Sequence, residues 1–134
     1  MRVAVCSNDT NERHTLSRIT DEIMSPRGTI PKISLFPFPH ELLETAARQQ
    51  PPFDLILLSG HKDDAVLPHL CRLASVILIG EQELGPTAFD AGAAYFIEAP
   101  ADHQKLEKAI INCLTRGFPQ SMSAAARRLW LQAF

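Results

Sequence analysis

Residues 88–100 read AFDAGAAYFIEAP. A glycine marks the end of a helical stretch, and a short apolar strand, YFI at 95–97, then runs into a small residue before proline, Ala99-Pro100. The other apolar runs end in the same way, on small or polar residues. RVAVC at 2–6 gives way to Ser7-Asn8, LILL at 55–58 to Ser59-Gly60, and VILI at 76–79 to Gly80-Glu81; a further run, ISLF, occupies 33–36. Continuous rather than alternating apolarity means that both faces of a strand are covered, as in parallel strands between helix layers.

Between these runs the spacing becomes helical. Leu16, Ile19 and Ile23 recur at i, i+3, i+7 after Asn11, and Pro26 with Gly28 stops the run. A second helix is predicted after Pro39 with Leu42, Leu43, Ala46 and Ala47 inward, and Pro51-Pro52 forbids its continuation. A third, over 64–73, is interrupted near its start by Pro68. A fourth, over 86–91, ends at Gly92, and a fifth, over 102–115, places Leu106, Ala109, Ile110, Cys113 and Leu114 on one stripe. Strands alternating with helices imply right-handed crossovers and a doubly wound parallel sheet. Past Gly117, the residues Met122, Ala125, Ala126, Leu129 and Trp130 form another stripe, which predicts a helix around 121–131 docked on its own domain or on a second copy. Gly117-Phe118-Pro119 then divides a domain over 1–116 from a linker and helix over 117–134.

A chain of 134 residues with 46% hydrophobic content is expected to form one domain around its own core. Cys6, Cys71 and Cys113 are odd in number and widely separated, which argues against a disulfide framework or a zinc site and for a reducing cytoplasm. The opening MRVAVCSNDT is too short an apolar run for a signal peptide, and no stretch approaches the roughly 20 apolar residues of a membrane span. A formal charge of −2 supplies no basic face, so direct nucleic-acid binding by this segment is not expected.

Three segments in this order resemble the receiver domains of bacterial response regulators, which are CheY-like and flavodoxin-like in fold. GAAYFIEAP at 92–100 is similar to their GADDYLTKP segment, FDLILLSG at 53–60 to YDLILLDI, and RVAVCSND at 2–9 to the first strand with its acidic cluster. The resemblance covers residues 2–116 and implies strand order 2-1-3-4-5. SLFPFPHELLE at 34–44, followed by FDLILL, is also similar to the subclass whose regulators carry a LytTR-type DNA-binding domain. Receiver chemistry uses an aspartate acceptor after the third strand, two acids after the first that hold magnesium, a Thr or Ser after the fourth, and a lysine after the fifth. Carried onto this chain, those positions are Ser59, Ser7 with Asn8, Gly80 and Ala99, and only Asp9 remains as an acid nearby. Magnesium favours carboxylate oxygens, and phosphoryl transfer depends on neutralising the charge that develops. The resemblance therefore implies a degenerate pseudo-receiver: no enzyme and no cofactor, but a phosphorylation-independent regulatory or protein-interaction domain, with a protein partner or homodimer.

A second reading stays open beside this one, a small-ligand sensor or enzyme using a crevice lined by Asp9, Ser59 and His61. His61, Lys62, Asp63 and Asp64 read either as part of a metal or anion site with Asp9 or as a solvated loop capping the third helix. Cys6 as a phosphatase-like nucleophile is disfavoured, since SNDTNER at 7–13 has no glycine and six residues rather than five separate Cys6 from Arg13. Phe96 matches the aromatic that in receivers swings with phosphorylation, or is plain core; with Leu129 and Trp130 it makes up the expected interaction surface. His14, His40, His69 and His103 share no metal-ligand spacing.

Overall fold

The computed structural model describes residues 1–60, 65–118 and 122–132. In chain order the elements are β1 (Arg2–Cys6), α1 (Thr10–Met24), β2 (Lys32–Phe36), α2 (Pro39–Arg48), β3 (Leu55–Ser59), α3 (Leu67–Leu73), β4 (Ser75–Gly80), α4 (Gly85–Ala91), β5 (Tyr95–Glu98), α5 (His103–Thr115) and α6 (Ala124–Leu131). Single 3-10 turns follow α1 at Ser25–Arg27 and precede α4 at Gln82–Leu84. All strands pair in parallel, in the order β2-β1-β3-β4-β5.

The continuous apolar runs follow from the two layers. Val3, Val5, Leu55, Leu57, Ile77, Ile79 and Ile97 join α1, α5 and α6 in one core, whereas Ala4, Cys6, Ile56, Leu58, Val76 and Leu78 join α2, α3 and α4 in another. In β1, β3 and β4 successive side chains thus enter opposite cores, and none is exposed. β2 departs from the expectation of burial on both faces: it pairs only with β1 at the sheet edge, and its Leu35 is 38% exposed.

The helices differ from the sequence expectation mainly at their starts. α1 begins at Thr10 rather than after Asn11, because the Asp9 carboxylate caps it by accepting from the Asn11 and Glu12 amides. Pro68 does not interrupt α3; it lies in the first turn, where its missing N–H loses no helical bond. Asp64, expected to open that helix, lies with residues 61–63 of the expected capping loop outside the described residues. In α2, Leu42 and Ala46 are buried while Ala47 faces solvent. The α5 stripe holds at every expected position.

α6 docks on its own domain. Of its expected stripe, Met122, Ala126 and Trp130 are buried, four residues apart, whereas Ala125 and Leu129 are exposed. Trp130 is fully sealed: its Nε1 donates to Thr29 Oγ1 at 2.9 Å and the Arg27 guanidinium lies 5.1 Å from its ring centre. Arg27 in turn reaches Glu107 on α5 at 3.4 Å and donates to the Ile23 carbonyl at 2.7 Å. Trp130 is therefore core, which corrects its assignment to an interaction surface; Leu129, 41% exposed, is the one of the pair that faces outward.

Candidate functional site

The order β2-β1-β3 reverses the winding direction of the sheet between β1 and β3, which opens a crevice at their carboxyl ends. The crevice continues along the sheet edge as a cleft of about 240 Å³. Ser59 and Gly60 at the end of β3, Ile79 and Gly80 at the end of β4, and Ala99 after β5 form its floor and one side. Backbone bonds hold these ends in step: the Gly60 amide donates to the Ile79 carbonyl at 3.2 Å, and the Ala99 amide to the Gly80 carbonyl at 2.8 Å. The structure thus brings Ser59, Gly80 and Ala99 onto one cleft.

Ser7, Asn8 and Asp9 lie beside the cleft and do not line it. Ser7 is 1% exposed, and its hydroxyl donates to Glu12 Oε1 at 2.6 Å while accepting from the Asp9 amide at 3.1 Å. Asp9 Oδ1 accepts from the Asn11 amide at 2.9 Å and the Glu12 amide at 3.2 Å. Arg13 donates from Nη1 to the Ser7 carbonyl at 2.7 Å. These polar groups hold the start of α1 against the end of β1. Asn8 is exposed, with its Oδ1 3.8 Å from where a side chain on Gly60 would begin; that glycine has φ +77, the left-handed region that favours glycine. His61 lies outside the described residues.

Three lining residues were not anticipated: Glu12, Glu81 and Leu84. Glu12 had a signal, since it stands three residues after a capping Asp9, the spacing of a capping box. Leu84 sits on the 3-10 turn before α4, and its Cδ1 is only 2.6 Å from where a side chain on Gly80 would begin. The leucine thus fills the space that a Thr or Ser at position 80 would enter.

Among the described residues no group of three or more His, Cys, Asp or Glu is placed to hold a metal ion. Cys6 is wholly buried, and burial pushes its thiol up to about 12, the reverse of what a nucleophile needs. Phe96 is half-buried against the second core, its ring 3.7 Å from where a side chain on Gly85 would begin. No helix among the described residues is long and apolar enough to cross a membrane.

Neither family models nor curated proteins match this chain. Solved structures do. A response regulator receiver domain from Clostridium thermocellum aligns with a TM-score of 0.70 at 16% identity over 86% of this chain and 94% of its own. The fold is that of a response-regulator receiver domain. The receiver domain of the NarL response regulator from Mycobacterium tuberculosis gives 0.66 at 22% identity, covering 85% of this chain and 95% of its own. A protein of Burkholderia pseudomallei named as pilus assembly-related gives 0.73 at 14% identity, covering 90% and 94%.

Proposed function

We propose that this receiver fold is a pseudo-receiver, a cytoplasmic, non-catalytic interaction domain that works through its surface without phosphorylation. The observation that carries this reading is the chemistry of the cleft: a serine hydroxyl, a glycine and an alanine methyl at the ends of β3, β4 and β5, where receivers place an acceptor aspartate, a hydroxyl and a lysine. The polar groups after β1 are engaged in capping α1, and Leu84 fills the space over Gly80. Among the described residues such a site has neither an acceptor aspartate at the end of β3 nor a lysine after β5 to offset charge on a transferring phosphoryl group; its acids, Glu12 and Glu81, stand on other elements.

The proposed contact surface, a homodimer or partner face, comprises α4, β5 and α5, where Phe89 on α4 is 85% exposed and Phe96 on β5 is half-buried. Incubation with acetyl phosphate and magnesium followed by intact mass measurement tests the non-catalytic part. No added phosphate is expected; a stoichiometric, acid-labile phosphate would overturn it. A second reading, a small-ligand sensor, is favoured by the open volume of the cleft. A thermal-shift screen addresses it, since a ligand at a hundred times its Kd adds about 2.7 kcal/mol to stability.

A further inference from the structure

Ser59 is 3% exposed, lines the cleft, and its hydroxyl has no hydrogen-bond partner among the described residues. The hydroxyl is not among the sealed, unpartnered polar atoms, so it meets water through the cleft, and a ligand group that replaces that water can pair with it. Among the described residues that line the cleft, the charge has one sign. Glu12 stands half-buried on one wall and Glu81 exposed on the rim, and no Lys, Arg or His lines the cleft among the described residues. Arg13 does not line the cleft and donates to the Ser7 carbonyl and to Thr10 Oγ1. Glu12 gives Oε1 to the Ser7 proton, which leaves Oε2 as an acceptor. Ile79, Leu84 and the methyl of Ala99 supply an apolar wall.

We propose that the cleft takes a primary ammonium or guanidinium on a short aliphatic stem, carried by a free small molecule or by a Lys or Arg side chain of a protein partner. The cationic head meets Glu12 Oε2 and the Ser59 hydroxyl, and the stem lies along Ile79, Leu84 and Ala99. The cleft's 240 Å³ accommodates a butyl chain with its head group. Anions are rejected by the two glutamates. This rests on reading the cleft as free of phosphoryl chemistry, yet the two are read by different signals, a mass gain for phosphate and amide shifts for the cation.

The test titrates nitrogen-15-labelled protein with n-butylammonium, with butylguanidinium and, as the anionic control, with butyl phosphate. Saturable amide shifts at Ser59, Gly60, Gly80 and Ala99 are expected with at least one cation and not with butyl phosphate. Ser59→Ala and Glu12→Gln each weaken that binding about tenfold, the loss of one hydrogen bond to a charged group. Ala99→Lys brings its own stem and ammonium to the cleft and abolishes it; Ser59→Ala removes a single oxygen and keeps the test valid if the lysine variant does not fold. A lysine tripeptide blocked at both ends separates the two sources: tighter binding than n-butylammonium assigns the group to a protein partner, equal or weaker binding to a free amine. Absence of saturable shifts with both cations, shifts undiminished in Ser59→Ala and Glu12→Gln, or equal binding of butyl phosphate would overturn the proposal.

Discussion

Ser7 and Ser59 are the same side chain in two situations. Ser7 gives its proton to Glu12 and receives the Asp9 amide, so its hydroxyl is committed to the start of α1. Ser59 is as deeply set but has no such partner among the described residues, where the acids lining its cleft are Glu12 and Glu81. Ser59→Asp alone is therefore expected to accept no phosphate from acetyl phosphate, since groups that act as a unit are not rescued singly. It also lowers stability by about 1–3 kcal/mol at neutral pH, because an unpaired carboxylate replaces a hydroxyl beside Glu12. Urea unfolding and mass measurement on one sample check both; rapid phosphate uptake would show that Ser7, Asn8 and Ala99 do not stand at the reactive positions. The thiols predict a pH dependence. Burial pushes Cys6 up to about 12 and Cys113 up to about 11, and raises Cys71, all from 9.0. Above pH 9.0 the unfolded chain releases thiol protons that the folded chain keeps. Stability is thus intact below that value and falls as pH rises toward 12, so the urea midpoint should drop across this window. Cys6→Ala with Cys113→Ala should flatten the drop. At milder pH a thiol reagent should reach half-buried Cys71 before the other two.

At the scale of elements, α6 is held through one side chain above all. Trp130 has no exposed surface and anchors the helix to the turn after α1, so Trp130→Ala should cost about 3–5 kcal/mol. Trp130→Phe keeps most of the apolar volume but leaves the Thr29 hydroxyl, 7% exposed, without its donor, which should cost about 1–3 kcal/mol. Urea unfolding measures both, and the sole tryptophan of the chain should emit at the short wavelength of a sealed indole. The helix was legible in sequence, but its inward line was not. Met122, Ala126 and Trp130 face the domain because α6 packs against both α5 and the Ser25–Arg27 turn, and that placement is tertiary information. The strands were legible because residues such as Leu57 and Leu58 enter opposite cores, leaving no polar break in the run. For the same reason Ser59, Gly80 and Ala99 could be found together, each following an apolar strand in a parallel sheet. Glu12, Glu81 and Leu84 could not, since whether they lean over the cleft depends on the capped first turn of α1 and on a 3-10 turn that has no apolar period.

Across the whole molecule, the two helix layers present unequal outer surfaces. The layer of α1 and α5 is extended by α6, which adds Trp130 to its core. In the opposite layer α4 carries Phe89 at 85% exposure, while β5 ends the sheet with Tyr95 and Phe96 half-buried. A groove of about 220 Å³ beside β5 is lined by Phe96, Glu98, Lys105 and Lys108, so aromatic surface there adjoins charges of both signs. An aromatic this exposed contributes little to folding, and Phe89→Ser should leave stability within about 0.5 kcal/mol of wild type. In a contact, the same ring is the kind of anchor whose truncation costs about 2 kcal/mol or more. The substitution therefore separates association from folding. If the α4, β5 and α5 face pairs two copies, sedimentation over a concentration series should show a dimer whose dissociation constant rises more than about tenfold in Phe89→Ser, with unchanged urea unfolding of the monomer. Trp130→Phe should leave the dimer constant unmoved, because the indole is sealed inside its own domain. Identical sedimentation of wild type and Phe89→Ser, with both monomeric throughout, would exclude self-pairing through this face and leave a different protein as its partner.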